Sequence, residues 1–375
     1  MIDIALRMFV HDRGKLIITL VGVAFSVTLV FVQVGLFGGL LKNATITIDR
    51  ADADLWITSK NTPNVDFPHY FSDAYVNRVR SVPGVAAADN LEVVFVGIQL
   101  PTGAEETMIV YGIDDPARWR LPWSVAEGDV ESIRRGRTMM LDESAARRFG
   151  AFAIGDRREL FGQRVDIVGR TKEALSFTTM PIAFTSVQTA QDLEPNLYAG
   201  RTAYVLVKLA PGADAAAVSA EIRRRLPFND VYTSGDWSER TRRYWVVSTG
   251  LGLNMAFTVF LGVLVGVLVV GQTLYAATLD RTRDFGTLKA IGATTGHICG
   301  LLATQAAVAA VLGYLLALPA VLGLRSVAHH FGVDIIITPA FAGLVFAGAL
   351  VLCLGASLLT FRRIASIDAA LVFRT

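Results

Sequence analysis

Residues 16–41 read LIITLVGVAFSVTLVFVQVGLFGGLL, a stretch without a single charge and rich in Val, Leu and Phe. A helix that crosses a bilayer needs about 20 mainly apolar residues, because no water is present there to satisfy an open backbone. The stretch is too long for a cleaved leader, and no small-residue cleavage pattern follows Leu41, so it reads as a retained span. Three further windows look the same: 246–279, 290–324 with His297 neutral, and 335–361. The second and third windows reach about 34 residues, roughly 50 Å of helix. That exceeds a hydrocarbon core of about 30 Å, so these helices are expected to tilt, kink or project. Pro319 marks a kink or an end in the third.

The composition agrees with a divided chain. Hydrophobic residues make up 53% and charged residues 18%, and the charges crowd between the first two windows. A net charge of +2 gives no broad basic field for nucleic acid. Cys299 and Cys353 both fall in apolar windows, which leaves the region between the first two spans without disulfides and excludes paired metal-ligand cysteines. Basic residues in short flanks set the orientation. Arg7, Arg13 and Lys15 precede the first span; Arg281, Arg283 and Lys289 separate the second from the third; Arg362, Arg363 and Arg374 follow the fourth. Both termini are therefore expected in the cytoplasm of a multi-pass protein of the inner (plasma) membrane. The fold class is an α-helical membrane protein: four transmembrane helices with a large mixed α/β extracytoplasmic domain inserted between helices 1 and 2. The expected divisions are an interfacial amphipathic helix over 1–15, with Ile2, Leu6, Phe9 and Val10 on one face, then spans over 16–42, 246–279, 294–324 and 335–361. The outer domain covers 43–245, a cytoplasmic coupling helix 280–293, a short external loop 325–334 and a tail 362–375.

Within the outer domain, alternation from Ala53 to Thr58 predicts a strand. A helix is expected over 72–82, capped by Ser72 and stopped by Pro83-Gly84, and another over 214–226, stopped by Pro227. Each precedes a Val-containing extended stretch, as two related βαβ halves would. The runs 92–100 and 106–113 form a hairpin around Pro101-Thr102-Gly103. A short helix over 142–149, a pairing of 158–160 with 164–168 and a strand over 203–209 complete the reading. The apolar segment 176–191 is either a contact surface or a buried connection containing one strand.

The most specific stretch is Asp280-Arg281-Thr282-Arg283-Asp284-Phe285-Gly286-Thr287-Leu288-Lys289-Ala290-Ile291-Gly292-Ala293. Phe285, Leu288 and Ile291 share one helical face, and Gly286 and Gly292 permit close approach or turns. On these residues alone the segment is either a ridge for a cytoplasmic partner or a solvated connector. The run resembles the signature of the permease family that includes MacB, FtsX and the Lol lipoprotein-release permeases, through Thr282, Arg283, Gly286, Leu288, Lys289, Ala290, Ile291, Gly292 and Ala293. The resemblance implies a coupling helix seated on an ATPase, made here by Arg281, Thr282, Arg283, Phe285, Gly286, Leu288, Lys289, Ile291 and Gly292. The closing Arg362-Arg363-Ile364-Ala365 run is similar to the family's basic tail, with Ile367-Asp368-Ala369 in place of a proline-containing version. Gly22-Val23-Ala24-Phe25-Ser26, Phe31-Val32-Gln33-Val34-Gly35 and Ala53-Asp54-Leu55-Trp56-Ile57 look like the DevC branch, whose ATPase is a separate polypeptide.

No Gly-x-x-x-x-Gly-Lys-Ser/Thr motif occurs, so the chain is expected to be no enzyme itself and to bind no cofactor directly, ATP and Mg residing on the partner ATPase. The resemblance further implies a homodimer, a periplasmic membrane-fusion protein and a TolC-like outer-membrane duct. Gly262 and Gly266, a Gly-x-x-x-Gly pair in the second span, are candidates for the dimer contact. Residues Trp237 to Tyr244, with Arg240, Arg242 and Arg243, form either a stalk joint between the outer domain and the second span or a solvated helix face. The spans contain Gln33, Asn254, Gln272 and Gln305 but no Asp or Glu, which leaves no proton relay. The resemblance implies ATP-driven export by mechanotransmission to the periplasmic domain, in contact with membrane lipids, and the lack of acidic residues in the spans fits an amphipathic or lipid-like substrate better than an ion. The alternative is an FtsX-like signalling protein that activates an outer partner without transport. A membrane-bound enzyme is disfavoured, since His69 is the outer domain's sole histidine and no Gly-x-Ser-x-Gly occurs. His329-His330, without acidic company in sequence, reads as a loop rather than a metal site.

Overall fold

The opening stretch belongs to one long helix, α1 (Arg13–Arg50), in a computed structural model that describes residues 13–100, 102–280, 287, 293–330 and 333–364. Nothing after Leu41 breaks a helix, so α1 outlasts its apolar run and ends on Arg50, a charge suited to a helix C-terminus. The chain divides into two compact units, Leu40–Leu251 and the remainder.

In the first unit, the last turns of α1 are core elements. Ile46, Ile48 and Ala51 are buried in the principal hydrophobic cluster. Thr47 Oγ1 donates to the Tyr111 hydroxyl at 3.3 Å. Two βαβ crossovers then interlock: β1 (Leu55–Ser59), α2 (Tyr75–Arg80) and β3 (Val85–Gln99) with β11 (Tyr204–Leu209), α7 (Ala215–Arg225) and β12 (Asn229–Thr233). The strand order β12-β1-β11-β3, antiparallel between neighbours, is the ferredoxin-like split βαβ arrangement. Its period-2 and helical patterns meet in one core, with Leu55 and Ile57 against Val76, Val79, Val218 and Ile222. The two halves expected from sequence are thus interleaved on one sheet. Ser72 does not cap α2, however. It lies in β2 (Phe71–Ser72), which pairs with β10 (Arg201–Thr202), and the helix begins later without a side-chain cap.

The 15-residue β3 also serves a second layer. Its first half pairs with β11, and its second half forms the hairpin with β4 (Glu105–Ile113), around Gly103 at φ +83°. The pairing continues through β9 (Ile182–Thr185), β6 (Thr138–Asp142), β8 (Gln163–Thr171) and β7 (Arg157–Leu160), and β7 returns to β3 at Ile98 opposite Leu160. The strand path therefore closes on itself, while β5 (Val125–Gly128) hangs on the outer side of β8. Alternate residues Val94, Val96, Val110, Leu141 and Ile167 point to a shared core, covered by α4 (Ala145–Phe149), α5 (Val187–Leu193) and α6 (Pro195–Tyr198). Asp142 ends β6 rather than opening α4; its carboxylate accepts from the Ser144 and Ala174 amides. The segment 176–191 is a buried connection, with Phe177, Ile182 and Phe184 all inside. A single turn, α3 (Pro116–Trp119), is capped by Asp115.

The unit ends with α8 (Ser234–Arg243) and a π-turn, Tyr244–Ser248. The membrane unit then holds α9 (Leu251–Asp280), α10 (Thr295–His330) and α11 (Pro339–Ile364). Together with α1, these are four helices long and apolar enough to cross a membrane. Three boundaries differ from expectation. The second span starts at Leu251 rather than at residue 246, because Gly250 at φ +74° interrupts the helix. The third continues to His330 through six residues expected in a loop, with Pro319 inside it as neither end nor stop. The fourth begins at Pro339, whose missing amide hydrogen suits a first turn, and the Thr338 hydroxyl accepts from the Phe341 amide. Residues 1–12 and 365–375, with most of the expected interfacial helix and basic tail, lie outside the described residues.

Candidate functional site

Helices α1 and α9 run antiparallel along a seam with six rungs. Lys15 pairs with Asp280, and Thr19 Oγ1 donates to Thr273 Oγ1 at 2.9 Å. Gly22 then faces Val269, Ser26 faces Gly266 and Leu29 faces Gly262. Gln33 Nε2 meets Met255 Sδ at 2.9 Å to close the series. On α1 the rungs alternate four and three residues apart, the repeat that keeps one helix face on its partner. Without a hydrophobic drive between helices in lipid, close packing through small residues supplies the cohesion. A Cβ on Gly262 would lie 2.7 Å from a Leu29 methyl, and one on Gly266 2.5 Å from Ser26 Oγ. Within one chain the nearest neighbours of these two glycines are on α1, with Leu352 of α11 also close to Gly266.

The seam leads to the segment singled out in the sequence. Arg281, Thr282, Arg283, Phe285, Gly286, Leu288, Lys289, Ile291 and Gly292 lie outside the described residues; of residues 281–292 only Thr287 is described, helical and exposed. What frames it is clear. Asp280 ends α9 on the ion pair with Lys15, and Thr294 opens α10 through a reciprocal contact with His297, amide to Nδ1 at 3.2 Å and hydroxyl to the same nitrogen at 3.1 Å.

At the other end of the pair, inside the outer unit, α8 is tied to the emerging end of α1. Arg242 donates to Asp49 at 3.1 Å and to the Thr45 hydroxyl at 3.2 Å, and Ser238 Oγ donates to Asp49 at 2.8 Å. Arg240 lies over the Tyr232 ring, 5.4 Å from its centroid. Arg243 is exposed. A half-exposed ion pair of this kind contributes only about 0.2–1 kcal/mol. Aromatic burial holds the joint more firmly. Trp237 is fully buried and stacks on Tyr232 at 5.2 Å, while Trp245, in the π-turn, stacks on Phe177 at 3.7 Å with the rings 10° apart. Asp66 is buried beside Trp245. Desolvation pushes its pKa up to about 7, against the pull of the Trp245 indole and the Phe177 backbone amide. The indole approaches without reaching hydrogen-bonding geometry, since Trp245 Nε1 and Asp66 Oδ2 both lack a partner. The sequence reading found the arginines, within a joint running from Trp237 to Tyr244, but missed Trp245 and Asp49. Two tryptophans just ahead of a span were the available signal, because indoles gather at membrane boundaries.

Among the described residues no group of three or more His, Cys, Asp or Glu side chains is placed to hold a metal ion. His329 Nδ1 instead meets Asp334 at 2.9 Å.

Family comparisons cover both units. The MacB-like periplasmic core domain model matches residues 16–225, and the FtsX-like permease C-terminal model matches residues 256–369. The chain is 28% identical over 388 residues to an uncharacterized ABC transporter permease of Mycobacterium tuberculosis, covering 100% of this chain and 99% of that one. It is 21% identical over 353 residues to an uncharacterized ABC transporter permease of Methanocaldococcus jannaschii, covering 88% and 86%. Among solved structures, the periplasmic region of MacB from Actinobacillus actinomycetemcomitans aligns with 49% of this chain and 90% of its own, at 11% identity and a TM-score of 0.39. Kinship rests on the sequence matches, the first of which spans more than half the chain. This multi-pass membrane protein belongs to the MacB/FtsX-type family of ABC transporter permeases, whose members work with an ABC ATPase.

Proposed function

We propose that this chain couples ATP hydrolysis by a separate ATPase subunit to extrusion of an amphipathic or lipid-like substrate, by passing movement through α1 and α9 to its outer domain. The observation that carries the reading is the seam. Six rungs lock α1 to α9 from Lys15–Asp280 outward, and α1 continues without a break into the core of the outer unit. The return connection is interrupted by the π-turn and by Gly250. In this reading α1 is the strut, the π-turn is the hinge, and residues 281–292 take the push of the ATPase.

The basic flanks Arg13 and Lys15, Arg281 and Lys289, and Arg362 and Arg363 support placing both termini and the coupling segment in the cytoplasm, with the membrane being the inner one. Nucleotide and Mg would sit on the ATPase. A homodimer, a periplasmic membrane-fusion protein and a TolC-like duct complete the assembly.

The test is copurification of the full chain in mild detergent, with Phe285→Asp and Leu288→Asp as variants. The expected result is an ATPase recovered with the native chain and lost from both variants. Unchanged association and ATPase activity in the variants would sink the coupling role. Recovery of a cell-wall hydrolase in place of a fusion protein would replace export by FtsX-like signalling.

A further inference from the structure

Within the membrane unit α11 packs on α1, with Phe341 5.4 Å from Phe31, yet α1, α9 and α11 leave a gap among them. They enclose a cavity of about 420 Å³, lined by Val30 of α1, Val263 of α9 and Val345, Gly348 and Leu352 of α11. Ser26 is the sole polar residue among its lining, and its hydroxyl faces Gly266. A Cβ built on Gly348 would meet nothing within 4 Å, so the space there is open. At the rim Leu344 is 71% exposed, whereas on the floor Val345 is 7% and Ala349 6% exposed.

These features select the occupant. Apolar cavities of even about 150 Å³ stay free of water and accept apolar guests. This lining offers a water no set of polar partners, and an ion no charge. The rim lies on helices that cross a membrane, so the medium facing it is hydrocarbon. The floor residues Val345 and Ala349 are buried, while the rim is open to that medium. A helix about 10–12 Å across with its side chains is too broad for a space of about 420 Å³, whereas a polymethylene chain is not. We propose that the cavity seats one acyl chain of a bilayer phospholipid, wedged between α11 and the locked pair of α1 and α9. Seated there, the chain completes the packing of three spans. The inference requires only that the four helices span a bilayer; it does not depend on an ATPase or on export.

The experiment uses the full-length protein reconstituted in bilayers of phosphatidylcholine carrying a mid-chain diazirine. After irradiation, adducts are mapped by peptide mass spectrometry. Adducts on the floor residues Val345 and Leu352 are expected several-fold above those on Val351, although Val351 is 72% exposed on the outward side of α11. Gly348→Leu, whose side chain grows into the open space, should lower the floor adducts several-fold and leave Val351 unchanged. The native adduct map decides the matter even if that variant fails to fold. Adducts confined to outward residues would overturn the proposal. So would efficient disulfide formation between copies of Leu344→Cys, which would show a second chain covering the rim.

Discussion

Glu92 is fully buried on β3, and neither of its carboxylate oxygens has a hydrogen-bond partner. Desolvation pushes its pKa up to about 9 from an ordinary 4.5, with the negative charge of Asp73 adding to the rise. Asp66 is raised to about 7 from 3.8 by the same cause. A carboxyl whose folded pKa exceeds its unfolded value adds stability that is complete below the unfolded pKa and is lost as pH rises through the folded one. The outer domain should therefore lose stability from about pH 4.5 upward, by up to roughly 1.4 kcal/mol per pH unit for Glu92 until its folded pKa is passed. Melting temperatures of the purified protein across this range should fall with pH, and Glu92→Gln should flatten the fall. An equally steep decline in Glu92→Gln would show that other groups set it. Gly250 is a second single-residue determinant. Its φ of +74° is open to glycine and strained for others, and nothing lies within 4 Å of its Cβ position, so the constraint is backbone strain rather than crowding.

At the scale of elements, the seam and the aromatic joint make separable demands. Gly262→Leu would drive a side chain into Leu29, and overpacking of this sort costs about 1–3 kcal/mol. Gly271→Leu, on the same helix with nothing within 4 Å, should be tolerated. Thermal aggregation of the two variants in detergent compares them; equal behaviour would show that α1 and α9 are not packed through glycine. Trp245→Ala removes a buried ring stacked on Phe177, and loss of a buried Trp costs about 3–5 kcal/mol. It should lower the melting temperature more than Arg242→Ala, whose ion pair with Asp49 is half exposed. The reverse ranking would make the basic cluster, not the aromatics, the anchor of α8.

For the whole molecule, orientation and coupling are the quantities to measure. In a background lacking Cys299 and Cys353, Thr287→Cys should resist an impermeant thiol reagent in intact cells, whereas Phe228→Cys, at a residue 77% exposed in the outer unit, should react. Labelling of both at equal rates would refute the assigned topology. On the proposed coupling, Gly250→Val should leave ATPase association intact yet lower ATP-driven extrusion, because the proposed hinge and not the proposed docking segment is altered. Extrusion at the native rate would remove Gly250 from the path of force.

The four spans, the insertion of a mixed domain after the first, and the hairpin around Gly103 followed from the sequence because each depends on local chemistry. Apolar length, flanking charge and turn residues are properties of short runs of chain. Helix ends were less legible. Residues 43–50 carry no stop signal, and burial of Ile46 and Ile48 beneath strands far along the chain keeps them helical to Arg50. The arginines of the joint were legible by charge, but the role of Arg242 depended on Asp49, remote in sequence and brought near by folding. The same holds for Gly262 and Gly266: a spacing shows that a close approach is permitted, and only the packed helices decide that the neighbour is α1. The expected coupling segment was read from its motif alone, and of residues 281–292 only Thr287 is among the described residues. Non-local burial also closed the strand path at Ile98 and Leu160 and left the cavity beneath Gly348, since both depend on where distant surfaces meet.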